Sequence, residues 1–278
     1  MIWRVNINRF LESYRELHWI IVRQGELIKA LAGRMVFEKH AGQALGPIWA
    51  FFHPAFLIVF YLAIFKFIFK VKFPESAGVQ IDYTLYLLSG LVPWLAMLNH
   101  LNLAPTTFTN HAGIIKQIHL PLEVFPFALG ISSLFYFGVF LACLLLYSMY
   151  STGGIGFSIL YLPVVLLSNW LFLMGVTFVI APISTYFRDV KEIVQTILLV
   201  NMYLTPIIYP PGFLPDYILN FFYFNPFSYY IWAYQDVFAF GVVREPVVWL
   251  VMCLLGPITF VIGYRVLSVV RNAIADSL

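Results

Sequence analysis

The side chains that could do chemistry in this sequence lie mostly inside its most apolar segments, and they are hydrogen-bonding groups rather than acids and bases. Asn201, Tyr203, Thr205 and Tyr209 follow one another within a stretch that has no charged residue. Polar groups in a membrane helix prefer a bundle interior or a water-lined cavity to lipid. The spacing therefore predicts either a polar path or a set of interhelical hydrogen bonds.

The sequence contains no catalytic or metal-binding pattern. Its six histidines do not pair at i,i+4 spacing, and Cys143 and Cys253 sit alone in apolar runs. Lone histidines in apolar segments, such as His53 and His100, are most often neutral and hydrogen-bonded between helices. The phosphate-binding pattern G-x-x-x-x-G-K-S/T is absent, as are H-E-x-x-H and G-x-S-x-G. We therefore predict that this chain is not an enzyme and has no catalytic residue, cofactor or metal site of its own.

Several long segments lack any Asp, Glu, Lys or Arg, among them residues 83–115, 124–187, 193–215 and 246–264. The whole chain is 62% hydrophobic and 10% charged, whereas soluble domains carry about 25% charged residues. Crossing a hydrocarbon core of about 30 Å takes about 20 helical residues. The sequence therefore predicts an all-α polytopic membrane protein. Transporters driven by protons or sodium place ionisable groups within the membrane, so we expect the energy for any transport to come from elsewhere.

The apolar segments predict six transmembrane helices, at about residues 47–69, 83–104, 123–150, 155–184, 193–209 and 246–267. Together they form a transmembrane domain, 46–270, between a cytoplasmic N-terminal segment, 1–45, and a cytoplasmic tail, 271–278. Residues 210–241 are aromatic but interrupted by prolines, which predicts two short re-entrant helices at the outer surface, about 213–224 and 226–240. This segment could be an interfacial aromatic belt or a gate, and both interpretations stay open.

Apolar residues recur at helical spacing across residues 26–39, which predicts an amphipathic helix on the inner membrane surface. The helix could be a membrane anchor or a docking site for a soluble partner. With both termini in the cytoplasm, most basic residues are cytoplasmic, and only Lys66, Lys70, Lys72 and Arg244 lie outside. The positive-inside rule therefore predicts this orientation. The lysine cluster would snorkel to the headgroups or face an anionic substrate.

Several short motifs occur in an order that resembles one known family. They are Leu45-Gly46-Pro47-Ile48-Trp49, Ser89-Gly90-Leu91-Val92-Pro93-Trp94, Asn110 to Lys116 with Pro121 and Pro126, Tyr186-Phe187-Arg188-Asp189-Val190, Thr205-Pro206-Ile207-Ile208-Tyr209 and Asn225-Pro226-Phe227. The order resembles the membrane (permease) subunit of bacterial type-2 ABC exporters, in the polysaccharide-export branch. That branch exports O-antigen, teichoic acid and capsular polymers. The resemblance covers about residues 27–270 and is greater to the O-antigen and teichoic acid members.

The resemblance implies a permease that exports a lipid-linked polysaccharide across the cytoplasmic (inner) membrane, with a channel at a homodimer interface. It implies two ATP-binding cassette ATPase partners that bind ATP and Mg, and no nucleic acid. ATPase docking would involve Glu26, Lys29, Arg34, Glu38, Asn110, Lys116 and Gln117. The substrate path would be lined by Trp49, His53, Tyr61, Asn201, Tyr203, Thr205 and Tyr209. An outer gate would consist of Phe221, Phe224, Tyr229, Tyr230 and Trp232.

Three other functions remain open on the sequence alone. They are a type-2 ABC permease for a small molecule or drug, a secondary transporter, and a membrane enzyme acting on lipid-linked sugars. The charge-free spans disfavour the secondary transporter. The missing acid–base cluster disfavours the enzyme, although Asp82, Asp216 and Asp236 on the predicted outer side could serve one.

Overall fold

The computed structural model describes residues 15, 17, 19–37, 42, 45–69, 82–117, 120–154, 156–209 and 215–277. Every regular element among them is helical. The α-helices are α1 (Gly25–Phe37), α2 (Trp49–Ala63), α3 (Tyr83–Leu103), α4 (Ala112–Gln117), α5 (Val124–Thr152), α6 (Leu162–Tyr186), α7 (Val190–Asn201), α8 (Asp216–Tyr223), α9 (Pro226–Gln235) and α10 (Pro246–Ser277). π-Helical turns extend α2 over Ile64–Phe69 and α9 over Asp236–Phe240.

Within the described ranges, five helical segments are long and apolar enough to cross a membrane. They are Trp49–Phe67, Tyr83–Thr106, Val124–Thr152, Phe157–Tyr186 and Pro246–Arg271. Lipid offers no hydrogen-bond partners to a backbone, so each span satisfies its own amides by forming a helix. The prediction of an all-α polytopic membrane protein is confirmed, and the five segments coincide with the first four predicted spans and the last one.

The predicted fifth span, residues 193–209, is helical over only the first part of its length. α7 ends at Asn201 after 12 residues, and residues 202–209 form turns. A helix of 12 residues is about 18 Å long, too short for the hydrocarbon core. Pro206 has no N–H to continue the helix and its ring obstructs the preceding turn. The chain nevertheless continues along α3, because Ile208 and Tyr209 reach the tyrosines at the beginning of that helix.

α3 lies at the centre of the bundle and is buried on nearly all sides by α5, α6, α7 and α9. His100 of α3 joins three helices, because its Nδ1 lies 2.5 Å from Ser133 Oγ of α5 and its Nε2 lies 2.8 Å from Thr177 Oγ1 of α6. The predicted hydrogen bonding of this histidine between helices is therefore confirmed.

α6 and α10 form the most extensive helix pair because glycines let their backbones touch. A Cβ at Gly263 would overlap the Gly175 carbonyl oxygen, and one at Gly175 would overlap the backbone of Thr259. Small residues commonly allow such close packing between membrane helices. α10 also continues to Ser277, so the segment expected as a separate tail extends the last helix.

The bundle has two ends that differ in composition. One end, called the α1 face here, carries α1, residues 104–117 and the first turn of α5, all packed into one apolar cluster with the end of α10. The other end, called the α8 face, carries Asp82, α8 and the loop that follows the π-helical turn Asp236–Phe240. The non-helical residues 202–209 lie nearer the α8 face, since they contact the beginning of α3.

Candidate functional site

The most unusual feature of the membrane domain is the non-helical segment 202–209, whose carbonyl groups are held by side chains from distant elements. The Pro206 carbonyl accepts hydrogen bonds from Tyr86 Oη (3.0 Å) and Gln235 Nε2 (2.7 Å). The same tyrosine hydroxyl lies 2.7 Å from the Tyr209 carbonyl oxygen. Tyr83 Oη donates to the Ile208 carbonyl at 2.8 Å. These contacts supply the donors that a continued helix would have provided from its own backbone.

The first residues of the segment are held from the start of α9. Asn225 Nδ2 donates to the Leu204 carbonyl at 2.8 Å and to Asn201 Oδ1 at 2.7 Å, while Asn225 Oδ1 caps α9 by accepting from Phe227 N. Gly90 leaves space for the Gln235 side chain beside this segment, because a Cβ at position 90 would lie 3.0 Å from Gln235 Nε2. Non-helical backbone at membrane depth is tolerated where protein buries it or water reaches it, and here protein side chains fill that requirement.

The four predicted path residues of this segment have different environments. Tyr203 is 54% exposed at the protomer surface, whereas Thr205 is buried and bonds back to the Met202 carbonyl. Tyr209 is half-buried and stacks on Phe222 at 5.9 Å. Asn201 is half-buried, and its Nδ2 is buried with no acceptor among the described residues. Tyr203 therefore offers the most accessible polar group, and Thr205 has a structural role.

On the first span, the structure exposes a ladder of aromatic rings that sequence reasoning missed. Phe52, Phe56 and Phe60 are each about half exposed and stack at successive i,i+4 positions, with Trp49 in contact with the first ring. Their spacing was the available signal. Of the predicted residues, His53 is exposed and Tyr61 is half-buried against the main core. α2 packs mainly on α5, whereas α7 packs on α3 and α6. Within one chain, the predicted path residues of the first and fifth spans therefore lie on helices with different neighbours.

The predicted gate residues do not all lie at the surface. Phe221 of α8 and Phe224, which directly follows that helix, are exposed. Tyr229 and Trp232 are half-buried in an aromatic group around Tyr223. Tyr230 is fully buried against Phe172 in the main core, because it faces the opposite side of α9. We therefore assign Tyr230 to the core rather than to the gate.

Two of the acidic residues that an enzyme could have used are engaged in structural hydrogen bonds. Asp236 is almost fully buried and accepts from Arg244 Nε at 2.6 Å and Trp249 Nε1 at 2.9 Å. Asp82 caps α3 through Thr84 N and accepts from Tyr147 Oη at 2.8 Å. The described residues contain no group of three or more metal-ligating side chains.

Tyr223 extends this hydrogen bonding at the α8 face. Its hydroxyl donates to Glu245 Oε2 at 2.9 Å. Burial first, and then the hydrogen bond to this carboxylate, raises the pKa of the Tyr223 hydroxyl to about 12. The group stays neutral and ties α8 to the beginning of α10.

On the α1 face, the structure brings some of the predicted docking residues together. Arg34 of α1 and Asn110 line one cavity of about 410 Å³, with His111 beside them. Lys116 and Gln117 are exposed at the end of α4, and Glu26 and Lys29 form an exposed ion pair at 2.9 Å. The remaining predicted residue, Glu38, lies outside the described residues.

Sequence reasoning also missed an ion pair at this face. Glu123, just before α5, is 1% exposed and its Oε1 lies 3.3 Å from Arg271 Nη1 of α10. A single acidic residue at the start of a charge-free span was the available signal. The pair fastens the end of α10 to the turn that follows the docking residues of α4.

Comparison with known proteins agrees with this membrane architecture. A family model described as ABC-2 type transporter matches residues 26–239. The O-antigen export system permease protein RfbA of Klebsiella pneumoniae is 23% identical over 257 residues, which cover 91% of this chain and 95% of that protein. The O-antigen export system permease protein RfbA of Myxococcus xanthus is 23% identical over 190 residues, covering 68% of this chain and 70% of that protein.

Proposed function

Since the chain belongs to the ABC-2 type transporter family, we propose that it is the membrane subunit that exports a lipid-linked polysaccharide, O-antigen-like or teichoic acid-like, across the cytoplasmic membrane. The observation that carries this proposal is the similarity to O-antigen export permeases along 91% of the chain. Similarity confined to a few helices would point to the family alone. The small-molecule permease and the membrane enzyme are less well supported, because neither explains that similarity.

Energy for export comes from a partner in this proposal. The five long apolar helices contain no Asp or Glu that could bind a driving ion, and the sequence has no phosphate-binding loop. Two copies of the chain would assemble with two ATP-binding cassette subunits, which bind ATP and Mg at the α1 face. That face would be cytoplasmic together with both termini, as the positive-inside rule favours.

The substrate path would run along the interface of the two copies. The exposed ring ladder of α2 and the exposed Tyr203 both lie on protomer surfaces that a second copy could enclose. Aromatic faces stack on the C–H faces of sugars, and tyrosine hydroxyls hydrogen-bond to sugar hydroxyls. The exposed rings Phe221 and Phe224 at the α8 face would close the outer mouth.

Deleting the gene for this chain in its own host tests the proposal. We expect the surface polysaccharide to disappear and its lipid-linked form to accumulate on the inner leaflet, and both effects to be reversed by the intact gene. Surface polymer at normal levels in the deletion strain would contradict the proposal. Loss of small-molecule efflux with unchanged polymer would support the alternative permease.

The path is tested by replacing Tyr203 and Tyr209 with Ala in the assembled transporter. Export should fall while assembly and ATP hydrolysis persist, because the polar and aromatic contacts of the path are lost. Tyr161→Ala serves as the control, since Tyr161 is also about half exposed but packs on Trp249 of the last span. Normal export by the double variant would show that these tyrosines only bridge helices.

A further inference from the structure

A cleft between α3 and α7 has a lining that none of the predicted path residues explains. Its volume is about 290 Å³, and it is lined by Trp94 and Asn102 of α3 and by Gln195 of α7, with Leu98, Leu198 and Met202. It extends from the middle of α3 toward the α1 face, since Asn102 is next to the last residue of that helix. The cleft opens at the protomer surface, where Gln195 is exposed.

The polar groups of this cleft have no partner in the described part of the chain. Trp94 is fully buried, yet its Nε1 has no hydrogen-bond acceptor there. The side-chain amides of the half-buried Asn102 and the exposed Gln195 form no hydrogen bond with other described residues. Leaving a buried donor without an acceptor costs free energy, which is why buried polar atoms nearly always have partners. This one buried donor, together with two unpartnered amides on the same open cleft, indicates a ligand that supplies the missing acceptors and donors.

The chemistry of the lining restricts the ligand. Indole and carboxamide groups are neutral; the indole only donates, whereas each carboxamide both donates and accepts. No charged side chain and no histidine lines the cleft, so the ion pairing that phosphate usually meets in proteins is missing. The remaining wall is apolar and suits the C–H face of a ring. The volume is close to the lower limit of about 300 Å³ for small-molecule pockets, which leaves room for one small unit rather than a polymer.

We infer that this cleft is a subsite for one uncharged sugar unit of the exported glycan, held by the Trp94 indole N–H and the Asn102 and Gln195 amides. The inference rests on the proposed function, because it assigns a place on the export path to the same substrate. Sites along a channel must bind well enough for entry and weakly enough for release. A few neutral hydrogen bonds on an open cleft meet both conditions.

Photocrosslinking in native cells that make the polymer tests the assignment. The photoreactive residue p-benzoylphenylalanine replaces Leu199, which is 69% exposed at the rim of the cleft, and in a second variant it replaces Tyr203. Adducts are analysed by glycan staining and mass spectrometry. A glycan adduct at position 199 is expected, and Trp94→Phe should reduce it by about fivefold, the effect of one hydrogen bond.

A matched control separates ligand binding from folding. Trp94→Phe removes an N–H that has no acceptor among the described residues, so the melting temperature should not fall. Trp170→Phe removes an N–H that donates to the Gly130 carbonyl at 3.1 Å, so it should lower the melting temperature and leave the adduct at position 199 unchanged. Asn102→Leu with Gln195→Leu should also reduce that adduct, since both amides are lost.

The possible results distinguish the subsite from the function. A glycan adduct at position 203 without one at 199 would overturn the subsite and leave polysaccharide export intact. A phospholipid adduct alone at position 199 would also overturn the subsite, as would a glycan adduct there that Trp94→Phe leaves undiminished. If neither position gives a glycan adduct and the surface polymer does not depend on this chain, the proposed function is overturned as well.

Discussion

The carbonyl of Pro206 allows a sharp test of how the non-helical segment 202–209 is stabilised. It accepts from two side chains, Tyr86 and Gln235, which lie far apart in sequence. Tyr86→Phe or Gln235→Met leaves one donor in place, whereas the double variant leaves none. Because the acceptor is shared, we expect the double variant to lose more stability than the sum of the two single variants.

The magnitudes follow from the contacts. The single hydroxyl hydrogen of Tyr86 is shared between the Pro206 and Tyr209 carbonyls. Tyr86→Phe removes this one donor, so it should cost about 1 kcal/mol, near the upper part of the range for membrane helix bonds. Gln235→Met removes a donor but also removes Oε1, which is buried without a partner among the described residues. These two effects oppose each other, so the single cost should stay below about 1 kcal/mol. Leaving the buried Pro206 carbonyl with neither donor should add about 1 kcal/mol of coupling.

Reversible unfolding in mixed micelles would measure the four free energies of the cycle, and a coupling of this size would lower the melting temperature by about 2–4 °C beyond additivity. The control cycle pairs Tyr83→Phe with Gln235→Met, because Tyr83 donates to Ile208 and shares no acceptor with Gln235. It should be additive within about 0.5 kcal/mol. Additive or less-than-additive costs in the Tyr86 cycle would refute the shared-acceptor reasoning.

Three further predictions concern packing, the ion pair of the α8 face and docking. Gly263→Ala should destabilise the fold by about 1–3 kcal/mol, because the added Cβ would overlap the Gly175 carbonyl oxygen. The control Gly138→Ala should not destabilise the fold, because a Cβ at position 138 meets open space. Equal melting temperatures for these two variants would contradict the close packing of α6 and α10. Asp236→Asn should lower the free energy of unfolding by about 2 kcal/mol, because Arg244 loses its charged partner. Lys29→Gln, in the exposed pair with Glu26, should lower it by well under about 1 kcal/mol. Similar melting temperatures for these two variants would argue against a structural role for Asp236. Lys116→Glu should permit ATP hydrolysis without export, whereas the control Lys66→Glu should leave hydrolysis and export coupled. A cysteine at position 116 that is labelled only from outside the cell would overturn the proposed orientation.

Much of the architecture could be predicted from the sequence because lipid leaves the backbone few choices. A charge-free segment that crosses lipid satisfies its backbone amides most simply as a helix, which is why five of the six predicted spans are long helices. Local signals also placed the short helices. Asn225 caps α9 and Pro226 occupies its first position, as the residue types indicate.

The rotation of these helices could not be predicted in the same way. α3 is apolar or weakly polar around its whole circumference, so periodicity does not show which side faces a neighbour. Tyr230 and Trp232 looked equivalent in sequence, yet one is buried against Phe172 and the other is half-buried among surface rings. Only the packing of α9 against α3 and α6 distinguishes them.

The sequence by itself determined that this protein is helical, crosses the membrane several times and resembles the ABC-2 permeases, because these properties follow from composition and motif order. The tertiary structure decided where the fifth predicted span stops being a helix. A proline at position 206 can kink a helix or end it, and the outcome depends on whether the freed carbonyls find donors. Here Tyr86 and Gln235 supply them from helices that are distant in sequence but adjacent in space, and no local pattern reports that proximity.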